Sequence, residues 1–369
     1  MAEQICFFTK GTLIIKPPKK SPAIFRVVLV VLAMVCGVFI FSAYLNQSCT
    51  DRENNVLNLE VINRHCDHLD IDRSQIPYLH YPKPKTFSRY ELDNHCLVFY
   101  TFSIYGCLLF LSMTARDECA CNPVRFFVIL TMQRSGSGWF ETLLNSHVNV
   151  SSNGEIFSFK ERRENFSSIV ETLDRVYNLD WLTSASKNQC SAAVGFKWML
   201  NQGVMEHPRE IVDYLNEKGV SVIFLFRRNL LRRMVSLLAN SYDRYAKLLN
   251  GTHKSHVHST EEADTLAKYK PFINTASLMP ELNQTDMVAR EALHHFNNTR
   301  HIILYYEDLV RNKTKTMDAL KFLRLPVMNL SSCQVKIHSG PLWKHIKNWD
   351  DVRRTLKGTA YEGFLHADY

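Results

Sequence analysis

Five consecutive residues, Arg134-Ser135-Gly136-Ser137-Gly138, combine a cation, two hydroxyls and two glycines in one short loop. Glycines let main-chain N–H groups turn inward, and a helix start adds partial positive charge. Such a loop holds a phosphate or a sulfate. The chain lacks the GxxxxGK[ST] form of the common nucleotide loop: no lysine precedes Ser137, and Gln133 stands where the first glycine would. The cation is Arg134, ahead of the glycines, which counts against an ATP- or GTP-hydrolysing enzyme. A second basic site follows about ninety residues on, at Arg227-Arg228-Asn229. Arg228 and Ser236 are eight residues apart, with Arg228 at the end of an apolar run and Ser236 about two turns into the next helix. Both could reach one further anion at the carboxyl edge of a sheet. Arg232 and Arg233 read as a solvated basic face.

Regular elements must position these groups. Phe126 to Thr131 is a run of aromatic and β-branched residues that reads as a buried strand, and Trp139, Phe140, Leu143 and Leu144 follow the loop at helical spacing. Val220 to Phe226 is a second continuous apolar run, followed by a helix over Leu230 to Leu249. Strands near Phe126, Val194, Val220 and Ile302 alternate with helices, which implies a parallel sheet with right-handed crossovers. From Phe126 onward there are about 240 residues, enough for one α/β core. Asn250 to Asn283, polar and His-rich, reads as a long loop or lid. No internal repeat appears.

In motif order the chain resembles sulfotransferases that use 3′-phosphoadenosine 5′-phosphosulfate (PAPS). The resemblance covers roughly Phe126 to the end. It rests on the Arg134–Gly138 loop, on Arg228-Asn229 with Ser236, on HIILYYEDL at His301–Leu309 with Phe322-Leu323-Arg324-Leu325-Pro326 after it, and on the Lys336–Asn348 region. Arg134, His147 and Gly154-Glu155 are spaced as in the membrane-bound, Golgi-type branch, and the overall style is similar to plant proteins related to nodulation sulfotransferases. The resemblance implies an α/β, P-loop NTPase-like parallel sheet flanked by helices. It implies that Arg134, Ser135, Gly136, Ser137 and Gly138 grip the 5′-phosphosulfate, that Arg228 and Ser236 grip the 3′-phosphate, and that Ser339 and Lys344 belong to a loop closing over the nucleotide.

Sulfuryl transfer needs in-line geometry and charge stabilisation. Glu155 is the expected general base for an acceptor hydroxyl, Arg134 the expected stabiliser of the leaving oxygen, and Lys197 a candidate lining the acceptor site. His147 is expected only to terminate the first helix. The family has Thr or Ser where this chain has Gly138, so one hydroxyl that would touch the phosphosulfate is missing. Two other readings stand. One is a catalytically inactive protein that binds PAPS or a glycan, favoured by Gly138. The other is a nucleotide or sugar kinase, disfavoured by the missing lysine. PAPS is the expected co-substrate, and no metal is expected: His253, His256, His258, His294 and His295 sit among polar loops without zinc-like spacing.

Phe25 to Leu45 is long and apolar enough to span a bilayer, with Lys10, Lys16, Lys19, Lys20 and Arg26 before it against Glu3 alone. Positive charge on that flank places the N-terminus in the cytosol and the remainder in a lumen. The expected organisation is a cytoplasmic tail (1–23), a signal anchor (24–45), a stem (46–125) and a catalytic domain (126–369), giving a single-pass type II Golgi membrane protein. Eight N-x-S/T sequons, at Asn46, Asn149, Asn165, Asn250, Asn283, Asn297, Asn312 and Asn329, agree with a lumenal domain. So do Cys49, Cys66, Cys119, Cys121, Cys190 and Cys333, an even set outside the apolar segments. Cys96 to Met113 runs eighteen residues without a charge. It reads as a buried or interfacial helix, as a second span, or as a translated intron bounded by Tyr90 and Arg116. The net charge of +8 suits phosphate ligands and acidic glycans. The expected partners are a lumenal glycan or protein acceptor, with a homodimer left open and no nucleic acid, for which no motif is present.

Overall fold

The computed structural model describes residues 6–9 and 12–15 as backbone, and residues 73–81, 122–181 and 191–366 with their side chains, Arg73 and Lys313 excepted. The stretches 25–45 and 96–113, and Cys49, Cys66, Cys119, Cys121 and Cys190, lie outside the described residues; Cys333 is described and exposed. Among the described residues no helix is long and apolar enough to cross a membrane.

The chain divides into two units, 1–67 and 68–369. In the first, β1 (Cys6–Thr9) and β2 (Thr12–Ile15) pair antiparallel with Cys6 opposite Ile15. In the second, the strands are β3 (Arg125–Thr131), β4 (Val150–Ser152), β5 (Ala193–Met199), β6 (Val220–Phe226) and β7 (His301–Tyr305). The helices are α1 (Ser137–Asn145), α2 (Phe166–Tyr177), α3 (Pro208–Glu217), α4 (Leu230–Ala246), α5 (Thr260–Ala267), α6 (Thr275–His295), α7 (Tyr306–Arg311), α8 (Lys313–Phe322) and α9 (Trp349–Leu356).

The five strands form one parallel sheet in the order β4-β5-β3-β6-β7. β5 and β6 are buried along their whole length, so their sequences run apolar without alternation. Alternation survives in what each residue touches. Phe126, Val128 and Leu130 join a core with Ile169 and Leu173 of α2 and Ile211 and Leu215 of α3. Phe127 and Ile129 join the opposite one, with Phe140 and Leu144 of α1 and Ala319 and Leu320 of α8. The domain is three-layered, α/β/α. A parallel sheet sends all its carboxyl ends to one edge, which gathers the loop after β3, the end of β5 and the turn after β6.

Residues 73–81, within the expected stem, pack on this unit. A 3₁₀ turn (Arg73–Tyr78) leads to His80, which exchanges two main-chain hydrogen bonds with Val124, at 2.9 and 2.7 Å, and stacks on Phe126 at 4.0 Å. The expected long loop over Asn250–Asn283 is instead half helical, holding α5 and the start of α6. Ser259 caps α5 by accepting from the Glu262 amide (3.2 Å), and Asn274 caps α6 by accepting from the Ala276 amide (3.0 Å). Between Thr275 and Asn283 only Leu278 and Leu282 are buried, which explains the faint periodicity. His294 and His295 accordingly lie on a helix.

Candidate active site

The loop after β3 folds tightly. Arg134 takes φ of 63° and Gly136 φ of 81°, both left-handed, and α1 begins at Ser137 with no side chain capping its first turn. A Cβ on Gly136 would stand 2.2 Å from the Tyr306 ring, and one on Gly138 would stand 2.4 Å from the His256 ring. Both glycines are therefore places of close approach as well as of turning. The loop opens on a cavity of about 810 Å³, to which Arg134, Gly136, Ser137 and Gly138 contribute. Ser135 is fully buried behind the loop, and its Oγ has no hydrogen-bond partner among the described residues.

Arg134 donates from Nε to Ser236 Oγ (2.9 Å) and from Nη1 to the Ser255 carbonyl (2.8 Å). Removal from water, with the charge of Arg227 next in importance, pushes its guanidinium down to about 10. The first loop thus touches the expected 3′-phosphate serine through its own cation. Arg227, buried, donates from Nη1 to the Arg134 carbonyl (3.3 Å), lies 5.2 Å above the Tyr306 ring and lines the cavity.

Of Arg228 and Ser236, expected as a pair, Ser236 lines the cavity and Arg228 does not. Arg228 is ion-paired with Asp308 and stacked on Tyr305 at 3.9 Å, with its side chain half exposed. The cause is register: adjacent residues leaving a strand point to opposite sides. Glu307 holds the turn by accepting from the main-chain amides of Arg228 (3.0 Å) and Asn229 (3.1 Å). Arg232 departs from the expected solvated face; it is 2% exposed and donates to the Gly340 carbonyl at 2.7 Å.

Glu155 and Lys197 line the same cavity. Glu155 accepts from Gln202 Nε2 (2.6 Å), and its other oxygen lies 3.7 Å from Lys197 Nζ. Lys197 is 6% exposed and also pairs with Glu141 at 3.3 Å. Glu141 in turn accepts from Ser152 Oγ (2.7 Å) and from the Gly154 amide (2.9 Å), the residue before Glu155. One lysine thus bridges a buried carboxylate on α1 and a half-buried one facing the cavity. Glu141 went unread in sequence, although an acid among the apolar positions of α1 was a signal for it.

Ser339 and Lys344 are exposed and do not line the cavity. The neighbouring His338 does. It is 9% exposed, and burial, then His345 and the surrounding arginines, push its imidazole down to about 3. His147 sits just past the end of α1, its ring against the Pro326 carbonyl at 3.0 Å. Among the described residues no group of three or more His, Cys, Asp or Glu could hold a metal ion.

No family profile matches the chain. Nodulation protein H of Rhizobium meliloti is 24% identical over 251 residues, spanning 66% of this chain and 96% of the relative. The protein of the same name from strain 1021 is 24% identical over 253 residues, with the same coverage. Among solved structures, a sulfotransferase from Alicyclobacillus acidocaldarius superposes over 66% of this chain and 96% of its own, at 13% identity and a TM-score of 0.33. The sulfotransferase domain of the curacin biosynthetic pathway covers 55% of this chain and 75% of its own, at 18% identity and a TM-score of 0.29. Scores this low add nothing to the fold established above by strand order.

Proposed function

We propose that the chain moves the sulfuryl group of PAPS to a hydroxyl of a glycan or of a protein tyrosine. The observation that carries this reading is one cavity lined at once by the Arg134 loop and by the Glu155–Lys197 pair. The residues suit the donor. Arg134 has no carboxylate partner within hydrogen-bond reach among the described residues, and the first-turn amides of α1 carry no side-chain cap. The donor supplies an activated sulfur–oxygen bond. Arg134 and the loop amides would stabilise charge on the departing phosphate oxygen. Glu155, oriented by Gln202 and Lys197, would take the acceptor proton as the acceptor oxygen bonds to sulfur and the sulfur–phosphate-oxygen bond breaks.

Calorimetry with 3′-phosphoadenosine 5′-phosphate (PAP) on the detergent-solubilised full chain tests the donor site. Saturable binding, weakened at least about tenfold by Arg134→Ala, is expected, since a charged hydrogen bond is worth about 1.5–3 kcal/mol. Absence of binding by folded protein would remove the reading. Glu155→Gln is expected to keep PAP binding and to lower turnover by about 10²–10⁴-fold, the usual contribution of a general base. If that variant instead turns over normally, the base lies elsewhere. A non-catalytic binder is the second reading, favoured by the absence of a hydroxyl at Gly138; it predicts PAP binding without turnover.

The type II Golgi topology is part of the proposal and is supported by the charges flanking 25–45. Of the seven sequons within the described residues, all but the half-buried Asn149 are exposed. A mobility shift on endoglycosidase treatment tests it; unglycosylated protein from a secretory host would count against it.

A further inference from the structure

We propose that His256 supplies, from a separate loop, the donor group that Gly138 lacks, and that its imidazole hydrogen-bonds the transferring group over the first turn of α1. This rests on the sulfuryl-transfer reading above. Three observations carry it. The ring fills the space a side chain at position 138 would need, since an ideal Cβ there falls 2.4 Å from Cε1 and 2.5 Å from Nε2. A side chain at 138 and the ring in this place would be under 3 Å apart, so one must shift for the other, and glycine leaves the corner to the imidazole. His256 also lines the cavity beside Arg134 and Lys197, and its ring makes no hydrogen bond among the described residues.

The loop that carries it is held firmly. Asp243, buried, accepts from the Leu248 amide (2.8 Å) and meets His253 Nδ1 at 2.6 Å. The Ser255 carbonyl accepts from Arg134 at 2.8 Å, and the Val335 amide donates to the Val257 carbonyl at 2.9 Å. Val257 is itself fully buried. The residues on both sides of His256 are therefore pinned, one of them to the cation of the anion loop. Although the residue as a whole is exposed, desolvation of its ring first, then Arg134, Lys197 and His258, favours the neutral imidazole, with its pKa down to about 4. A neutral imidazole offers one N–H donor and one acceptor, and a donor facing developing negative charge lowers the barrier.

The test follows two quantities for each variant of the full chain: PAP binding by calorimetry, and release of PAP from PAPS. His256→Ala is expected to bind PAP within about threefold of wild type and to lose about 10²-fold in PAP release, the scale of removing one such donor. His256→Asn, which keeps an N–H donor, is expected to recover part of that loss. Gly138→Ser displaces the ring and is expected to lower release. Gly138→Ser with His256→Ala is expected to exceed either single variant, because the serine hydroxyl then fills the vacated corner; coupling of this kind marks residues sharing one space. Wild-type release in His256→Ala would overturn the inference, as would a double variant no better than Gly138→Ser alone. Either result, with PAP binding intact, leaves the sulfuryl-transfer reading standing. Wild-type protein that binds no PAP removes both.

Discussion

Lys197 is the residue on which two chemistries depend. It sits between Glu141 and Glu155 at 3.3 and 3.7 Å, with almost no exposure of its own. Removing one partner of a buried ion pair leaves a desolvated charge behind. Lys197→Met is therefore expected to destabilise the domain by about 3 kcal/mol, read as a lower denaturant midpoint at unchanged slope. The effect should largely vanish in Lys197→Met/Glu141→Gln, and a lysine variant as stable as wild type would show the pair to be ornamental. At this scale the sequence was legible wherever chemistry is written contiguously. Arg134 to Gly138 is a string, and Glu155 follows it within one crossover. Tyr306 and His256 come to the cavity, and Glu141 and Gln202 to the Lys197 and Glu155 that line it, from separate parts of the chain, and no local pattern announces that they meet. Arg227 and Arg228 mark a finer boundary: composition shows two cations after a strand, while which one faces the cavity depends on the register at its last residue.

Strands and helix starts came through the sequence better than loops did. The strands β3, β5, β6 and β7 are mostly apolar runs, with Lys197 the one charge inside β5. β4, three residues on the sheet edge, is too short to leave a pattern, and α6 hides because few of its positions are buried. The junction of β6 and α4 shows what an element end can concentrate. Asn229, 2% exposed, accepts from the Arg232 amide at 2.9 Å and donates to the Phe364 carbonyl at 2.8 Å. Asn229→Ala is expected to cost about 2 kcal/mol, a cap plus an unsatisfied buried carbonyl, in chemical denaturation. The segment carrying His338 adds a pH response. Its folded-state pKa of about 3 lies below the ordinary 6.5, so between those values the unfolded chain holds a proton that the folded chain does not. Stability is full above about pH 6.5 and falls on acidification, by about 1.4 kcal/mol per pH unit for this one group. His80, His256 and His345, all lowered, act in the same direction. A denaturation midpoint that falls between pH 7 and pH 5, more gently in His338→Gln, is the expected result.

Across the whole molecule, basic charge gathers where the parallel strands end. Arg134, Arg227 and Lys197 line one cavity, so PAP binding is expected to weaken steadily with added salt, as screening of such a site requires. Salt-independent affinity would mean that the nucleotide is held by its base and not by its phosphates. The two hydrogen bonds between His80 and Val124 reach further than the sheet edge they close. Residues so joined share one side of any membrane, and everything strung between them leaves that side and returns to it. A single crossing between them would put His80 and Val124 on opposite sides and break this pairing; the run 96–113 itself lies outside the described residues. A chain cut out from 90 to 116 still has thirteen residues, 82–89 and 117–121, with which to rejoin two neighbours already in contact. That deletion is expected to leave the melting temperature of the unit that begins at His68 unchanged, and transcripts sequenced across these codons will tell whether the cell makes the same cut.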